Sequence, residues 1–165
     1  MQDEIEKVKH IIEEHTAIRE HSKVVRDEIN DLEALEELQI LRDSFSGIDE
    51  TVLANKLKEL KEAMNYFIDV LRKHFDDEEK LFPEILGEPL TRALTHEHRQ
   101  ITEDITSLIA IGDNRGLDQI SQQRSPAIVT HIFQRISALR KMVEEHALRE
   151  DVVLQMLLVG LQERQ

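Results

Sequence analysis

The chain has 165 residues, 40% of them hydrophobic and 33% charged, with only three Pro and five Gly, and this composition predicts one helix-rich globular domain that spans residues 1–165. Its formal net charge of −13 and its lack of a Lys/Arg cluster argue against nucleic acid or an anionic membrane surface as a partner. The absence of cysteine excludes disulfides, thiolate-ligated metals and thiol catalysis, so any metal site must use nitrogen and oxygen ligands.

The beginning of the chain argues against export. Its first six residues, Met1-Gln2-Asp3-Glu4-Ile5-Glu6, are acidic, whereas a signal peptide begins with basic and then apolar residues. No stretch of the sequence approaches the run of apolar residues that is needed to span a bilayer. We therefore expect a cytoplasmic protein.

Three groups of helix-breaking residues divide the chain into four segments. They are Ser46-Gly47-Ile48-Asp49, the stretch from Pro83 through Gly87 to Pro89, and the stretch from Gly112 through Gly116 to Pro126. Asp49 can cap the second segment, Pro89 can occupy the first turn of the third, and Ser125 with Pro126 can begin the fourth. Because the connections are short, neighbouring helices should run antiparallel. The sequence therefore predicts an all-α, up-down-up-down four-helix bundle.

Each segment carries one stripe of inward positions at spacings of three and four residues, as a helix with one buried face does. In the first segment the stripe is Val8, Ile11, His15, Ile18, Ser22, Val25, Ile29 and Leu32. In the second it is Leu53, Leu57, Leu60, Met64, Phe67, Leu71, His74, Glu78 and Leu81. In the third it is Leu94, His98, Ile101, Ile105 and Leu108. In the fourth it is Ile132, Ile136, Leu139, Val143, His146, Glu150, Val153 and Leu157.

The stripes sort the eight histidines of the chain into two equal groups. Those on the stripes are His15, His74, His98 and His146, and those off the stripes are His10, His21, His96 and His131. We expect the second group to be solvated. His131 precedes His146 by fifteen residues, roughly 22 Å along a helix, so both cannot serve one centre. His21 remains an alternative to His15, because it also follows a glutamate, Glu20.

Two glutamates extend the inward polar set. Glu78 and Glu150 follow His74 and His146 by four residues, which places each pair on one helix face, about 6 Å apart along the axis. Burying a carboxylate without a partner costs several kcal/mol. No Lys or Arg occupies any stripe, so we expect the compensating charge to be a bound cation.

The predicted metal ligands are therefore His15, His74, Glu78, His98, His146 and Glu150. Four imidazoles and two carboxylates suit a transition metal such as iron, with manganese, zinc or copper as alternatives. Six ligands are too many for one site with an open position, which favours a metal pair. Glu79 and Asp151 each follow a predicted ligand, and we expect them to be solvated or to orient a ligand histidine. Asp151 also remains a possible substitute for Glu150.

The two halves of the chain repeat these motifs, which indicates a pseudo-two-fold bundle. The motifs are Glu14-His15-Thr16-Ala17-Ile18, His74-Phe75-Asp76-Asp77-Glu78-Glu79-Lys80-Leu81-Phe82-Pro83, Glu97-His98-Arg99-Gln100-Ile101 and His146-Ala147-Leu148-Arg149-Glu150-Asp151. In content and order they resemble the hemerythrin-like, or HHE cation-binding, domains over nearly the whole chain. The resemblance implies an oxo- or hydroxo-bridged iron pair, with Glu78 and Glu150 as the bridging carboxylates and the four inward histidines capping the irons.

Two departures from the family pattern bear on the function. Oxygen-carrying hemerythrins have a second histidine on the third helix, four residues from the first, where this chain has Leu94 and Thr102 around His98. The ligand set therefore resembles more closely the branch that repairs iron centres under nitrosative or oxidative stress, or senses iron and oxygen. The fourth segment has Val152-Val153-Leu154-Gln155 where the resemblance leads one to expect Leu-Phe-Pro.

These residues lead to one expected function and several alternatives. The first is a non-haem di-iron protein, a monomer or homodimer, that binds or senses dioxygen or nitric oxide, or donates iron to damaged iron centres. The alternatives are an acidic helical interaction module without a catalytic metal, and an iron storage or sensing domain. Hydrolysis by a zinc pair has less support, because no separate general base or basic substrate-binding residue is visible. Whether the protein is an enzyme is left open.

Overall fold

The computed structural model describes residues 2–42, 50–115 and 126–163, and within these ranges the regular structure is entirely helical. The helices are α1 (Gln2–Arg42), α2 (Glu50–Ile85), α3 (Glu88–Arg115) and α4 (Pro126–Gln162). The predicted all-α fold is thereby confirmed. The first predicted group of breakers, with the cap Asp49, lies outside the described residues, as do Gly116 and the predicted cap Ser125.

The helices form a bundle in which α1 and α3 each pack against both α2 and α4. Contacts between side chains fix the helix directions. Lys56 of α2 contacts Glu28 of α1, whereas Glu14 of α1 contacts His74, much later in α2, so these two helices are antiparallel. Side-chain contacts likewise show that α3 and α4 are antiparallel, and that α1 and α4 are antiparallel. The up-down-up-down order follows from these pairings.

The turn between α2 and α3 depends on Gly87, whose φ of +76° lies in the left-handed region that glycine adopts most readily. The Leu86 amide donates to the Phe82 carbonyl at 2.8 Å, and the Thr91 amide and hydroxyl donate to the Gly87 carbonyl. The predicted group of breakers from Pro83 to Pro89 contains the end of α2 at Ile85 and the beginning of α3 at Glu88, although Pro83 itself lies within α2. Pro89 lies in the first turn of α3, as predicted.

The predicted stripes form the core of the bundle. All the stripe residues of α1 are buried, and so are those of α2 from Leu57 to Glu78, while the side chain of Leu53 lies outside the described set. On α4 the stripe prediction is wrong beyond Glu150, since Val153 is only half-buried whereas Leu154 is fully buried. Seven residues of a straight helix turn slightly less than the two full turns that a regular three-and-four pattern assumes, so the buried line shifts one residue later along this long helix.

Two apolar clusters surround a polar layer of the core. The larger cluster includes Ile18, Phe67, Leu71 and Leu139. The smaller cluster consists of the buried residues Val8, Ile11, Phe82, Leu94 and Leu154. The polar layer holds the four inward histidines and the two glutamates, so both of its faces are covered by apolar side chains that exclude water. None of the described helices combines the length and the apolar character that crossing a bilayer would require.

Candidate metal centre

The four inward histidines converge on two glutamates in the middle of the bundle. His15, His74, His98 and His146 come from α1, α2, α3 and α4, and each is at most 3% exposed. Their Nε2 atoms lie between 3.1 and 3.5 Å from the nearest carboxylate oxygens of Glu78 and Glu150. Both glutamates are fully buried. The structure therefore brings all six predicted site residues together.

The six side chains make two overlapping groups that could each hold a cation. Position one has His15 and His74, and position two has His98 and His146; Glu78 and Glu150 belong to both. Within each group, the four ligand atoms all lie within 4.8 Å of one another. A carboxylate shared by two positions can contact two ions at once. The arrangement thus matches the geometry that a metal pair needs. Position one lies beside α1 and α2, and position two lies beside α3 and α4.

The hydrogen bonds of these residues test whether a metal pair fits. Five buried atoms in the centre have no hydrogen-bond partner: Glu78 Oε2, His98 Nε2, His146 Nε2 and both Glu150 carboxylate oxygens. Among the described residues no Lys or Arg lies within ion-pair distance of either glutamate. Unpaired buried carboxylates are costly, and nitrogen and oxygen donors of this kind suit a first-row transition metal. The residues present therefore fit a pair of metal ions.

A ring of carboxylates surrounds the histidines on their outer side. The Nδ1–H of His74 donates to Glu14 at 3.1 Å, and that of His98 to Glu79 at 3.2 Å. His146 donates to Glu97 at 2.8 Å, and His15 to Asp151 at 2.6 Å. Each histidine thus receives its carboxylate from the preceding helix, and α4 closes the ring onto α1. Such bonds fix the ring tautomer and aim Nε2 at the metal.

Cationic side chains hold some members of this ring. Arg19 donates to Asp151 at 2.8 Å, and Arg149 donates to Glu97 at 2.7 Å. His10 approaches Glu14 at 3.5 Å. The two arginines near the centre, Arg19 and Arg149, therefore pair with outer carboxylates and not with Glu78 or Glu150. For Glu79, the only ion-pair partner in the described part of the chain is His98.

The alternatives that the sequence left open take other places. Asp151 is buried on the outer side of His15 and belongs to neither cation position, so it acts as an orienting group there. His21 packs its ring edge-on against Tyr66 at 4.6 Å and lies in neither position. His10, His96 and His131 are exposed, as the stripes predict.

Burial and the two shared glutamates shift the pKa values in the metal-free centre. Burial lowers the pKa of His15, but its contacts with Glu150, Glu78 and Asp151 outweigh burial and raise the pKa to about 10. The same competition raises the pKa of His98 to about 9. Burial alone would raise the pKa of Glu78, yet the surrounding histidines hold it well below its usual range. Burial lowers the pKa of His146, and neighbouring carboxylates do not offset this.

Sequence reasoning assigned no role to Glu14, Glu97 or Phe75. The two glutamates directly precede inward histidines in the repeated motif, but they serve the histidine of the next helix, which sequence spacing does not reveal. Phe75 is buried and stacks on His98 with ring centroids 4.1 Å apart. In the sequence, only the position of Phe75 directly after the predicted ligand His74 pointed to a place near the centre.

A four-helix bundle with buried imidazoles and carboxylates between its helices defines a class of proteins that bind cations in the bundle core. Comparison with protein-family models adds the particular family: the model described as Hemerythrin HHE cation binding domain matches residues 6–158. The chain belongs to this family. Searches of curated proteins and of solved structures gave no significant match.

Proposed function

We propose that the chain binds two iron ions and uses them to bind or sense dioxygen or nitric oxide, or to donate iron to damaged iron centres. His15 and His74 would hold one ion, His98 and His146 the other, and Glu78 with Glu150 would bridge them. The observation that carries the proposal is the pair of shared, fully buried glutamates, neither of which contacts a Lys or Arg in the described structure. Manganese or zinc would satisfy the same donors. The cytoplasmic location stays a prediction from the sequence.

Four imidazoles and two carboxylates suit iron, which the family resemblance also favours. Held by these residues, an iron pair would supply reversible electron transfer to a small ligand. The chain contributes largely apolar surroundings, because the two apolar clusters cover both faces of the centre. It also contributes fixed ligand orientation, because every inward histidine is held at Nδ1. A small uncharged diatomic ligand suits such an enclosed site better than a larger substrate does.

Iron loading tests the proposal directly. Apo-protein titrated with ferrous iron should take up two irons per chain by elemental analysis. In air it should develop visible ferric charge-transfer absorption. The reduced, ferrous protein should change its visible spectrum when nitric oxide is added. Replacing His74→Ala together with His146→Ala should abolish iron uptake while helicity by circular dichroism persists, because each position loses an imidazole.

His131→Ala provides the matched control, since this histidine is exposed on α4 and belongs to neither position. It should bind iron as the wild type does. A colourless wild-type protein without bound iron, or iron loss in the His131 variant, would contradict the proposal.

A further inference from the structure

The carboxylate ring is asymmetric, and the asymmetry is concentrated at Glu79. The ring carboxylates Asp151, Glu14, Glu97 and Glu79 have side chains that are 12%, 22%, 29% and 44% exposed. Glu79 also makes the longest bond to its histidine, 3.2 Å against 2.6 Å for Asp151. Arg19 and Arg149 contact Asp151 and Glu97, and His10 approaches Glu14, whereas in the described structure Glu79 has no ion-pair partner besides His98. His98 is therefore the most loosely supported of the four histidines.

A cavity adjoins this same histidine. It lies between α2 and α3, has a volume of about 370 Å³ and is lined by residues that include His98, Glu79, Phe75 and Thr102. Glu79, whose side chain is 44% exposed, lines the cavity, and neither His15 nor His74 is among its lining residues. Through His98, position two therefore borders a cavity that is accessible to solvent.

The wall between the cavity and the centre consists of two stacked rings. Phe75 and His98 lie nearly parallel, with an interplanar angle of 12°, and Phe75 also meets His146 edge-on at 5.7 Å. The Nε2 atom of His98, on the side of the centre, is buried and has no hydrogen-bond partner. A cation that leaves position two toward the cavity would have to pass this pair of rings, Phe75 and His98.

The charges at the mouth of the cavity suit the passage of a cation rather than its storage. Its wall contains three carboxylates, Asp76, Glu79 and Glu103, and two guanidinium groups, Arg72 and Arg99, so one formal negative charge remains. A path conducts ions when binding along it is favourable enough for entry but weak enough for departure. The Glu79 carboxylate is placed to contact an ion in transit, because it lines the cavity and bonds His98.

We propose that the two cation positions are inequivalent: a divalent cation at His98 and His146 exchanges with solvent through the α2–α3 cavity, while a cation at His15 and His74 is retained. This inference rests on the proposed metal binding and deepens it, because it identifies the ion that the protein would give up first. For a protein that donates iron, position two is the donor position.

Release of cobalt provides the test, since bound Co²⁺ absorbs visible light and needs no activity assay. Protein loaded with two Co²⁺ per chain is mixed with excess EDTA, and the loss of absorption is followed by stopped flow. The wild type should release cobalt in two phases of equal amplitude. Thr102→Trp fills the cavity from α3 and should slow the faster phase about tenfold or more without changing the slower one. Gln100→Trp adds the same side chain to an exposed position of α3 outside the cavity and should change neither phase.

A second pair of variants assigns the phases to the two positions. Glu79→Gln weakens the support of His98 and should accelerate only the faster phase, whereas Glu14→Gln weakens that of His74 and should accelerate only the slower one. Loss of such supporting bonds lowers metal affinity by about 10- to 100-fold. Release in a single phase, or a Thr102→Trp variant with unchanged kinetics, overturns the inference but leaves the proposed function standing. A protein that binds no cobalt or iron contradicts the proposed function itself.

Discussion

At the scale of single residues, protons and metal ions compete for the same centre. The raised pKa values of His15, about 10, and His98, about 9, mean that both imidazoles are protonated near neutral pH when no metal is bound. Their two positive charges offset the carboxylates of Glu78 and Glu150. Metal ligation requires neutral imidazole, so loading the centre must release these protons. The metal-free protein is therefore held together by an internal charge pairing that depends on pH.

The metal-free protein should lose stability as the pH rises. A histidine whose pKa is raised on folding contributes stability that is fully present below its unfolded pKa, near 6.5, and is lost as the pH passes the folded pKa. Thermal unfolding in the presence of a chelator should therefore show a melting temperature that falls between pH 6.5 and pH 10, by roughly 2–4 °C for each kcal/mol lost. His131→Asn should keep this decline and His15→Asn should lose much of it. A constant melting temperature over this range would refute the charge pairing.

The inward residues could be predicted from the sequence, but their partners could not. Helical spacing places His15 and Glu78 on buried faces because the period of a helix is fixed. Which carboxylate supports which histidine depends on how the helices are rotated against one another, and that rotation is set by core packing. Glu14 therefore supports His74 rather than its neighbour His15, and Asp151 supports His15 rather than replacing Glu150.

At the scale of elements, the turn between α2 and α3 determines how the two halves of the centre meet. This short turn brings Glu78 and Glu79 of α2 beside His98 of α3. The sequence identifies the turn through its glycine and prolines, and the turn lies within the predicted group of breakers. Pro83 lacks one backbone donor, yet its neighbours still pack against the smaller apolar cluster through Phe82. Tertiary packing thus keeps Pro83 and the two residues after it within the helix.

Two glycines allow the conformational demand of the turn to be measured. Gly87 has φ of +76° whereas Gly160 is helical, and a Cβ at either position would meet no atom within 4 Å. Gly87→Ala should lower the free energy of unfolding by about 1 kcal/mol, because an L-residue is strained in the left-handed region. Gly160→Ala should instead raise it by up to about 0.5 kcal/mol through helix propensity. Urea denaturation measures both, and a Gly87→Ala variant as stable as the wild type would show that the turn tolerates a side chain.

At the scale of the whole molecule, the acidic composition and the centre belong to one charge balance. The chain carries a formal net charge of −13, and self-repulsion at such a charge disfavours the compact state. Two divalent cations in the core would reduce this charge and satisfy the buried oxygens of Glu78 and Glu150. An acidic interaction module without a metal would gain nothing from added cations at its core. The two functions therefore differ in how the stability of the entire bundle responds to metal.

Removal of metal should destabilise the whole bundle. A ligand that binds only the native state adds about 2.7 kcal/mol when its free concentration is 100 times its dissociation constant. For a chain of this length each kcal/mol corresponds to roughly 2–4 °C. Iron-loaded protein should therefore melt at least about 5 °C above protein treated with EDTA. The His74→Ala, His146→Ala double variant serves as the control, because its melting temperature should not respond to iron. If the wild type likewise melted at one temperature with and without iron, the interaction module would be the better account.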